Sequence, residues 1–384
     1  MTQKRLKAMI AIALSAVLVA TLCGCSLVVD GVDVTDYTAA QYTTYDYFNT
    51  NSTVSCYLPA ERAEELKELW EGEIKESLKK VEGLLSQDGE NSDIRAFNEA
   101  AAGEILTVDA ITYEALILAK QVYKETDGAF NPALALSVDL WGFSPRFSEK
   151  DYIPEKPYDR EDYKKELPSE EYVDAFLSLS DFSETVIYEK DGTYYVKKSA
   201  STVVVDGETY TQTLDLSGIG KGYCADLIAD IMREHGFDFG YVDIGGSSIS
   251  LLKNARREGQ AELGEWEVSV LAPDKSGGYY FKAYLKDSSL STSGSYQQYY
   301  EIDGVRYSHI IDGKTGAPYQ SDVLTASVYG KSAALADAYS TALCVMGSEK
   351  ASEFAASLKG YTYTMAVGVE SGYRVLTNAD GRTV

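Results

Sequence analysis

An alanine-rich segment near the carboxyl end carries the residues with the clearest chemistry. Residues 332–343 predict a helix, and Asp337 and Thr341 are four positions apart, so they lie on one helix face. Their neighbours are small or apolar, which indicates burial, and a buried carboxylate is costly unless it is paired or binds a cation. A carboxylate and a hydroxyl are hard oxygen ligands that suit Mg²⁺. The pattern therefore predicts a magnesium site, and a buried Asp337 satisfied by backbone amides is the alternative.

A second segment places glycines where a predicted strand meets a predicted helix. Residues 215–223 read Asp-Leu-Ser-Gly-Ile-Gly-Lys-Gly-Tyr. Glycines let backbone amides approach an anion, and the start of a helix adds a partial positive charge to the full charge of Lys221. No Ser or Thr follows Lys221, so this is not a Walker phosphate loop. An anion site and a purely structural turn both fit this pattern.

A third region combines small hydroxyl residues with one of only two histidines. Residues 291–294 are Ser-Thr-Ser-Gly, and His309 lies within the segment 307–316. Hydroxyls can hydrogen-bond a ligand edge or a phosphate, and the near-neutral pKa of histidine suits proton transfer. A structural role for a lone histidine is the alternative. His235 follows a predicted helix, where a role as C-terminal cap explains it better.

The composition restricts the class of protein. The chain has 384 residues, of which 45% are hydrophobic and 24% charged, so it can bury a real core. Its net charge of -24 repels phosphate backbones, and we therefore expect no nucleic-acid partner. Two histidines argue against a histidine-rich zinc or haem site. The odd cysteine count after the N-terminal segment (Cys56, Cys224 and Cys344) argues against a disulfide framework and predicts small buried residues.

The elements that would position these residues are mixed helices and strands without a strict βα repeat. This order favours an α+β domain with mixed or antiparallel sheets and packed helices over a doubly wound α/β sheet. A surface excursion is predicted over 146–172, which is rich in charge, Tyr and Pro. The predicted elements are helices over 60–86, from a Thr107 cap to 125, over 223–235 and over 332–346, with strands within 184–216, 241–244, 265–287 and 321–330.

The N-terminus predicts an exported lipoprotein. Three basic residues precede the uncharged run 8–20, which is shorter than the roughly 20 residues that span a bilayer. The sequence Leu-Cys-Gly-Cys at 22–25 then resembles a bacterial lipobox, whose last cysteine is acylated. We expect a signal peptide over 1–24, a lipid on Cys25, a tether over 25–45 and anchoring on the extracytoplasmic side of the cell membrane. An ordinary secretory signal or an uncleaved anchor is the alternative.

Four ordered motifs together resemble the ApbE family, the FAD:protein FMN transferases. The resemblance runs from about Tyr47 to Leu376, and it implies one catalytic domain over 46–384. The motifs are Thr126–Pro132 with Leu140–Phe143, which resembles T-x-G-x-F-D-P…LWGF; 215–226, which resembles DLGGIAKGYAVD; 291–316, which resembles TSG…YSHIIDPRTG; and 332–343, which resembles SAALADALATAL.

The resemblance implies a role for each matching residue. Asp337 and Thr341 match Mg²⁺ ligands that act through their side chains, and Gly218 matches a ligand that acts through its backbone carbonyl. His309 matches a histidine that helps to deprotonate the acceptor, so His309 and Asp337 are the expected catalytic residues. The residues that match FAD-contacting positions, or lie near one, are Thr50, Ala129, Phe130, Asn131, Asp215, Lys221 and Ile311.

Two residues depart from the family pattern. Asn131 stands where the family has Asp, which keeps a hydrogen-bonding group but weakens any role as a base. Gly313 stands where the family has Pro, which is expected to loosen the turn after Asp312. Neither change touches the expected metal ligands.

The activity that the resemblance implies is a Mg²⁺-dependent transfer of FMN from FAD to a Thr or Ser hydroxyl of a partner protein. AMP would be released, and the expected acceptor is an exported electron-transfer protein. A Mg²⁺-dependent FAD pyrophosphatase, in which water replaces the acceptor, is one alternative. A lipoprotein that only binds FAD is another. The sequence does not separate the two enzymes, because both need the same metal and FAD site.

Overall fold

The computed structural model describes residues 28–29, 32–33, 36–144, 167–253, 265–274, 276–296 and 298–384. The predicted signal peptide, Cys25 and most of the predicted excursion 146–172 lie outside the described residues. Within the described ranges, no helix combines the length and the apolar character needed to cross a bilayer.

All strand pairs in the described part of the chain are antiparallel, as an α+β domain predicts. The strands are β1 (Val28–Val29), β2 (Val32–Asp33), β3 (Tyr37–Tyr47), β4 (Thr50–Pro59), β5 (Ile105–Val108), β6 (Val186–Lys190), β7 (Thr193–Lys197), β8 (Thr202–Val205), β9 (Glu208–Thr211), β10 (Gly240–Ile244), β11 (Ser248–Leu251), β12 (Trp266–Leu271), β13 (Tyr279–Leu285), β14 (Ser289–Gly294), β15 (Tyr299–Ile302), β16 (Val305–Ser308), β17 (Ile311–Asp312), β18 (Ala317–Pro318), β19 (Val323–Gly330), β20 (Thr362–Gly368), β21 (Tyr373–Thr377) and β22 (Gly381–Thr383). An eight-stranded sheet with the order β21-β20-β19-β14-β11-β10-β4-β3 is the largest.

Helices cover one face of this large sheet. They are α1 (Ala63–Leu69), α2 (Lys75–Leu85), α3 (Asp93–Glu99), α4 (Ala110–Glu125), α5 (Ala135–Leu140), α6 (Glu170–Leu177), α7 (Ser217–Glu234), α8 (Ala333–Met346) and α9 (Ser348–Ser357). Apolar side chains of α7 and α8 share one core with Val242 and Ile244 of β10. A π-helical segment, Trp70–Ile74, joins α1 and α2 and interrupts the single helix that the sequence predicted over 60–86.

The opposite face of the large sheet packs on the small sheet β12-β13-β22. Leu251 and Leu290 share a second core there with Phe281 of β13. Because side chains alternate along a strand, the neighbours of Leu290 in β14 face the helices. This alternation brings the hydroxyls of Ser289 and Ser291 against α7 and α8.

Helix α7 begins earlier than the sequence predicted. It starts at Ser217 instead of Tyr223, so Gly218 and Lys221 lie in its first turns and not in a loop. The Asp215 carboxylate accepts a hydrogen bond from the Ser217 amide at 2.8 Å, which satisfies one of the free amides at the helix start. The helix ends as predicted, with His235 at the C-cap.

Two further boundaries differ from the prediction. Thr107 is not a helix cap: it lies in β5, and Asp109 caps α4 by accepting a hydrogen bond from the Ile111 amide at 3.0 Å. The predicted tether over 25–45 overlaps β3, which pairs along β4. The Thr and Tyr residues of that segment favour strands, and the folded chain therefore begins before residue 46.

The three cysteines after the N-terminal segment are buried free thiols, as the sequence predicted. Burial raises the pKa of Cys56 and of Cys344 to about 12. Neither thiol is therefore a reactive thiolate at neutral pH.

The close approach of α7 and α8 depends on a glycine, and this gives a prediction. A Cβ added at Gly222 would lie 2.2 Å from the Ala333 carbonyl oxygen, which is backbone and cannot rotate away. We expect Gly222→Ala to lower the free energy of unfolding by about 1–3 kcal/mol, measured by urea denaturation. Gly83→Ala is the matched control, because that helical glycine has no heavy atom within 4 Å of its added Cβ. The control should gain about 0.5–1 kcal/mol, and equal stability of the two variants would contradict the prediction.

Candidate functional site

Helices α7 and α8 cross at the middle of the large sheet, in the first half of α7 and the first nine residues of α8. Helix α7 brings Gly218, Lys221 and Gly222 to this crossing, and α8 brings Asp337 and Thr341. The amide of Gly222 donates a hydrogen bond to Asp337 Oδ2 at 3.1 Å, so the two helices are joined directly at the predicted site.

Asp337 is a buried carboxylate surrounded by hydrogen-bond donors. Its side chain is only 4% exposed, and Oδ1 accepts a hydrogen bond from Ser291 Oγ at 2.8 Å. Burial raises the pKa of Asp337 because it disfavours the charged form, while Lys221, Ser291, Gly222 and Ser248 act in the opposite direction. The residue is therefore a costly negative charge that a bound cation would stabilise.

Thr341 and Gly218 complete a group of oxygen atoms beside this carboxylate. Thr341 Oγ1 lies 3.0 Å from Ser293 Oγ and donates to the Asp337 carbonyl at 3.3 Å. A Cβ placed on Gly218 would lie 3.6 Å from Thr341 Oγ1 and 3.2 Å from the Phe130 ring. The backbone of Gly218 therefore faces the hydroxyl of Thr341 and the wall that Phe130 forms.

These donors fit a hard divalent cation. In the described ranges no cluster of three or more His, Cys, Asp or Glu side chains could hold a metal. The group at the crossing instead offers the Asp337 carboxylate and the Thr341 hydroxyl, with the backbone of Gly218 beside them. Mg²⁺ is commonly bound by one or two carboxylates together with substrate phosphates and water, so a sparse oxygen set beside an anion site is chemically suitable.

Lys221 supplies a positive charge next to this group. Its charge acts on both Asp337 and His309, so the ammonium lies near both groups. It forms no hydrogen bond or ion pair with any residue that the structure describes. The charge of Lys221 is therefore available to an anionic ligand.

The loop of residues 126–131 is held by its own polar groups. Thr126 Oγ1 accepts a hydrogen bond from the Phe130 amide at 3.1 Å. The Asn131 side chain donates to the Ser180 carbonyl at 2.9 Å and accepts from the Ala133 amide at 2.9 Å. An aspartate could not donate the first of these bonds, so asparagine suits this position structurally.

Gly313 fits tightly against the same loop. A Cβ added there would lie 3.0 Å from the Gly128 carbonyl oxygen and 3.1 Å from Asn131 Nδ2. The two departures from the family pattern, Asn131 and Gly313, therefore face each other. This pairing, which the sequence did not reveal, explains why a smaller residue follows Asp312.

His309 is a neutral base in this environment. Desolvation lowers its pKa to about 4, and the charge of Lys221 acts in the same direction. His309 Nδ1 lies 3.3 Å from the Gln298 carbonyl oxygen. A carbonyl only accepts hydrogen bonds, so this contact assigns the proton to Nδ1 and leaves Nε2 as a proton acceptor.

The remaining predicted residues lie around the crossing. The Asp215 amide donates to the Pro132 carbonyl at 2.7 Å, which connects the start of α7 to the loop that carries Ala129 and Phe130. Ile311 is buried in an apolar cluster with Leu134 and Trp141. Thr50 is the first residue of β4 and lies beside Gly245, where an added Cβ would be 3.0 Å from Thr50 Cγ2. In the described chain no hydrogen bond joins Thr50 to Asp337.

Two contacts of the site were not predicted, and the hydroxyls of residues 291–294, which the sequence assigned to a ligand edge or a phosphate, take part in one of them. The amide of Gly222 and the hydroxyls of Ser291 and Ser293 contact the predicted metal ligands. Serine at alternate positions 289, 291 and 293 was the available signal, because such a period places all three hydroxyls on one face of a strand.

Comparisons with known proteins agree on one family. The profile of the ApbE family matches residues 48–365. The chain is 30% identical over 297 residues to "FAD:protein FMN transferase" of Escherichia coli (strain K12), covering 77% of this chain and 75% of that protein. It is 32% identical over 276 residues to the protein of the same name from Treponema pallidum (strain Nichols), covering 71% and 70%.

Solved structures agree with the fold. The chain resembles the apo form of the Pseudomonas stutzeri flavinyl transferase ApbE with a TM-score of 0.70 and 25% identity, over 90% of this chain and 96% of that one. It resembles the flavin transferase ApbE from Vibrio cholerae with a TM-score of 0.71 and 24% identity, over 89% and 97%. The predicted α+β class is confirmed.

The raised pKa of Asp337 predicts that its charge destabilises the metal-free protein. A carboxyl group with a raised pKa in the folded protein stabilises the fold at pH values below its ordinary pKa of 3.8. This stabilisation is lost as the pH rises through the pKa of the folded protein. At pH 7 we therefore expect Asp337→Asn to have a higher melting temperature than the natural protein, by about 2–4 °C for each kcal/mol gained in the free energy of unfolding. The asparagine amide can still form hydrogen bonds with Ser291 and Gly222. Added Mg²⁺ should raise the melting temperature of the natural protein and not of the variant.

Asp243→Asn is the matched control for that experiment. Burial also raises the pKa of Asp243, and its carboxylate accepts a hydrogen bond from the Gly246 amide at 2.7 Å, away from the helix crossing. This variant should keep the response to Mg²⁺. An equal Mg²⁺ response of the Asp337 variant and the natural protein would show that Asp337 is not a ligand.

The environment of His309 predicts a neutral imidazole over the physiological range. Because the chain has only two histidines, His235→Gln leaves one imidazole signal to follow by NMR. We expect that signal to titrate near pH 4, and Lys221→Met to shift the midpoint upward. At pH values between 6.5, the ordinary pKa of histidine, and about 4, the pKa of His309 in the folded protein, the unfolded chain binds the proton and the folded chain does not. His309 therefore lowers the stability of the folded protein as the pH falls through this range. A midpoint near 6.5 in both proteins would contradict the assignment.

Proposed function

This chain belongs to the ApbE family and is an FAD:protein FMN transferase, and we propose that it moves FMN from FAD to a Thr or Ser hydroxyl of a partner protein in a Mg²⁺-dependent reaction that releases AMP. The observation that carries the proposal is the group of oxygens at the helix crossing. A buried carboxylate and a hydroxyl lie there next to the backbone of Gly218 and near an ammonium group that forms no ion pair in the described chain.

Asp337, Thr341 and the Gly218 carbonyl would hold the Mg²⁺ ion. When bound, the ion would neutralise charge on the FAD pyrophosphate and make AMP a better leaving group. The negative charge of Asp337, costly in the empty site, would then be offset. This accounts for a buried aspartate that receives hydrogen bonds from Ser291 and Gly222 but pairs with no basic side chain at ion-pair distance in the described residues.

The chain's own groups would orient the dinucleotide. The Lys221 ammonium would bind the pyrophosphate, and the partial positive charge at the start of α7 would add to its attraction for an anion. Phe130, Ala129 and Ile311 are the proposed apolar contacts of the flavin, and all three are largely buried in the described structure. Thr50, Asn131 and Asp215 are the remaining proposed FAD contacts, and Asn131 would act there through its position, since its side-chain atoms already bond Ser180 and Ala133.

The chemical step exchanges one phosphorus–oxygen bond for another. The acceptor hydroxyl oxygen would attack the phosphorus of the FMN half, and the bond from that phosphorus to the bridging oxygen would break. AMP would leave with the bridging oxygen. Nε2 of neutral His309 would take the hydroxyl proton, a role that its low pKa permits because the ring is uncharged at neutral pH.

The N-terminal sequence supports a proposal for where the reaction takes place. We propose that residues 1–24 are removed, that Cys25 carries the lipid, and that the enzyme faces the extracytoplasmic side of the cell membrane. The lipobox-like residues 22–25 after the short apolar run 8–20 support this. An exported electron-transfer protein is then the expected acceptor, since it shares that compartment.

Product analysis tests the proposal and separates its rivals. The natural protein, FAD, Mg²⁺ and a candidate acceptor are incubated in ¹⁸O-water, and the products are weighed by mass spectrometry. Transfer predicts one FMN added to the acceptor without ¹⁸O, together with AMP, and no addition when the acceptor threonine is replaced by valine. FMN carrying ¹⁸O together with AMP would mean pyrophosphatase activity, and intact FAD alone would mean a binding protein.

Asp337→Asn and Asp243→Asn serve as the matched pair in the same assay. The first should stop both transfer and hydrolysis, because both need the proposed ligand. The second should retain activity, since its carboxylate is away from the crossing. Full activity of the Asp337 variant would refute the Mg²⁺ assignment while leaving the family membership intact.

A further inference from the structure

Asp226 is a second carboxylate at the junction of α7 and α8, two turns beyond Gly218. It lies on α7, is partly buried, and forms no ion pair with any basic residue in the described ranges. Its five hydrogen-bond donors are Ser250 Oγ at 2.8 Å, Ser289 Oγ at 3.3 Å, the Ala333 amide at 2.8 Å, Ser332 Oγ at 2.8 Å and the Ala334 amide at 3.0 Å.

These donors come from both layers around the site. The amides of Ala333 and Ala334 are the first of α8, which would otherwise lack partners, and a carboxylate at a helix start also interacts favourably with the helix dipole. The two serines come from β11 and β14 of the sheet below. Asp226 therefore joins the helix that carries Gly218 to the beginning of the helix that carries Asp337.

Asp226 and Asp337 make reciprocal contacts. Asp226 of α7 accepts hydrogen bonds from amides of α8, and Asp337 of α8 accepts one from the Gly222 amide of α7. Each also binds a serine pair that bridges β11 and β14: Asp226 contacts Ser250 and Ser289, and Asp337 contacts Ser291, which pairs with Ser248. The two serine pairs are consecutive on the same face of the two strands, so the carboxylates fix both helices to one sheet position.

The two carboxylates differ in how much of their hydrogen-bonding capacity is used. A carboxylate has about four lone-pair positions, and five donors saturate Asp226. In the described ranges Asp337 accepts hydrogen bonds from Ser291 and Gly222, with the Ser248 hydroxyl as a further neighbour, so fewer donors reach it than reach Asp226 and it keeps capacity for a cation. Asp226, whose hydrogen-bonding capacity is fully used, is therefore suited to hold the two helices together. Asp337, which keeps free capacity, is suited to bind a cation.

We propose that Asp226 is a positioning residue for the cation site. Its carboxylate fixes the start of α8 against α7 and thereby sets where Asp337 and Thr341 lie relative to the Gly218 carbonyl. The two helices can shift little relative to each other, because at Gly222 they already approach too closely to admit a Cβ. This inference rests on the proposed Mg²⁺ site.

Binding of Mg²⁺ to the FAD-free full chain, measured by calorimetry at 25 °C, tests this role without using activity. Asp226→Asn replaces one acceptor oxygen with a donor that faces the Ala334 amide, and we expect affinity to fall by about 10–100-fold, as for other partners that orient metal ligands. At saturating Mg²⁺ the turnover of this variant should approach the natural value, because every proposed ligand is still present.

Asp109→Asn is the matched control. Asp109 also caps a helix through its carboxylate, but it lies at the start of α4 and joins no residue of α8. This variant should lose stability and keep its Mg²⁺ affinity. Natural affinity in Asp226→Asn would overturn the positioning role, whereas absence of Mg²⁺ binding in the natural protein would overturn the proposed metal site itself.

A milder variant covers the case in which Asp226→Asn does not fold. Ser332→Ala removes one of the five donors and leaves the carboxylate and both amide contacts in place. We expect a several-fold loss of Mg²⁺ affinity with near-natural turnover at saturating Mg²⁺. Unchanged affinity in this folded variant would overturn the proposal.

Discussion

The burial of one negative charge is the constraint on which the rest of the site depends. Asp337 is almost fully enclosed, yet no basic side chain of the described residues lies within ion-pair distance of it. Hydroxyl and amide donors satisfy part of the carboxylate and leave part of it able to bind a cation. The site is thus destabilising when empty, a cost that enzymes commonly accept at functional residues.

The architecture serves to keep that carboxylate in place. A period of two in β14 turns Leu290 toward the small sheet and Ser291 toward the helices, so one strand contributes to both a core and the site. Glycine at 222 lets α7 approach α8 until a backbone amide reaches Asp337. The helices that carry the proposed metal ligands are therefore positioned by backbone contacts and short hydroxyl side chains, which leave little room for adjustment.

The sequence predicted the class of the fold and the helix that carries Asp337 and Thr341 better than it predicted the contacts around that helix. Asp337 and Thr341 follow from helical spacing, and the predicted helix over 332–346 is confirmed as α8. The contact of Gly222 with Ala333 joins residues far apart in the chain, so no local pattern reveals it. Two predictions from local sequence preferences were wrong. Thr107 lies in β5 and does not cap a helix. The polar segment before residue 46 forms β3, because strand pairing in a sheet overrides a polar composition.

The most direct test of the central claim is a crystal structure of the protein with FAD and Mn²⁺, in which anomalous scattering locates the cation. The account predicts one strong peak within about 2.2 Å of Asp337, Thr341 and the Gly218 carbonyl oxygen, in contact with the pyrophosphate. A peak elsewhere, or a pyrophosphate bound away from Lys221 with no cation at Asp337, would contradict it.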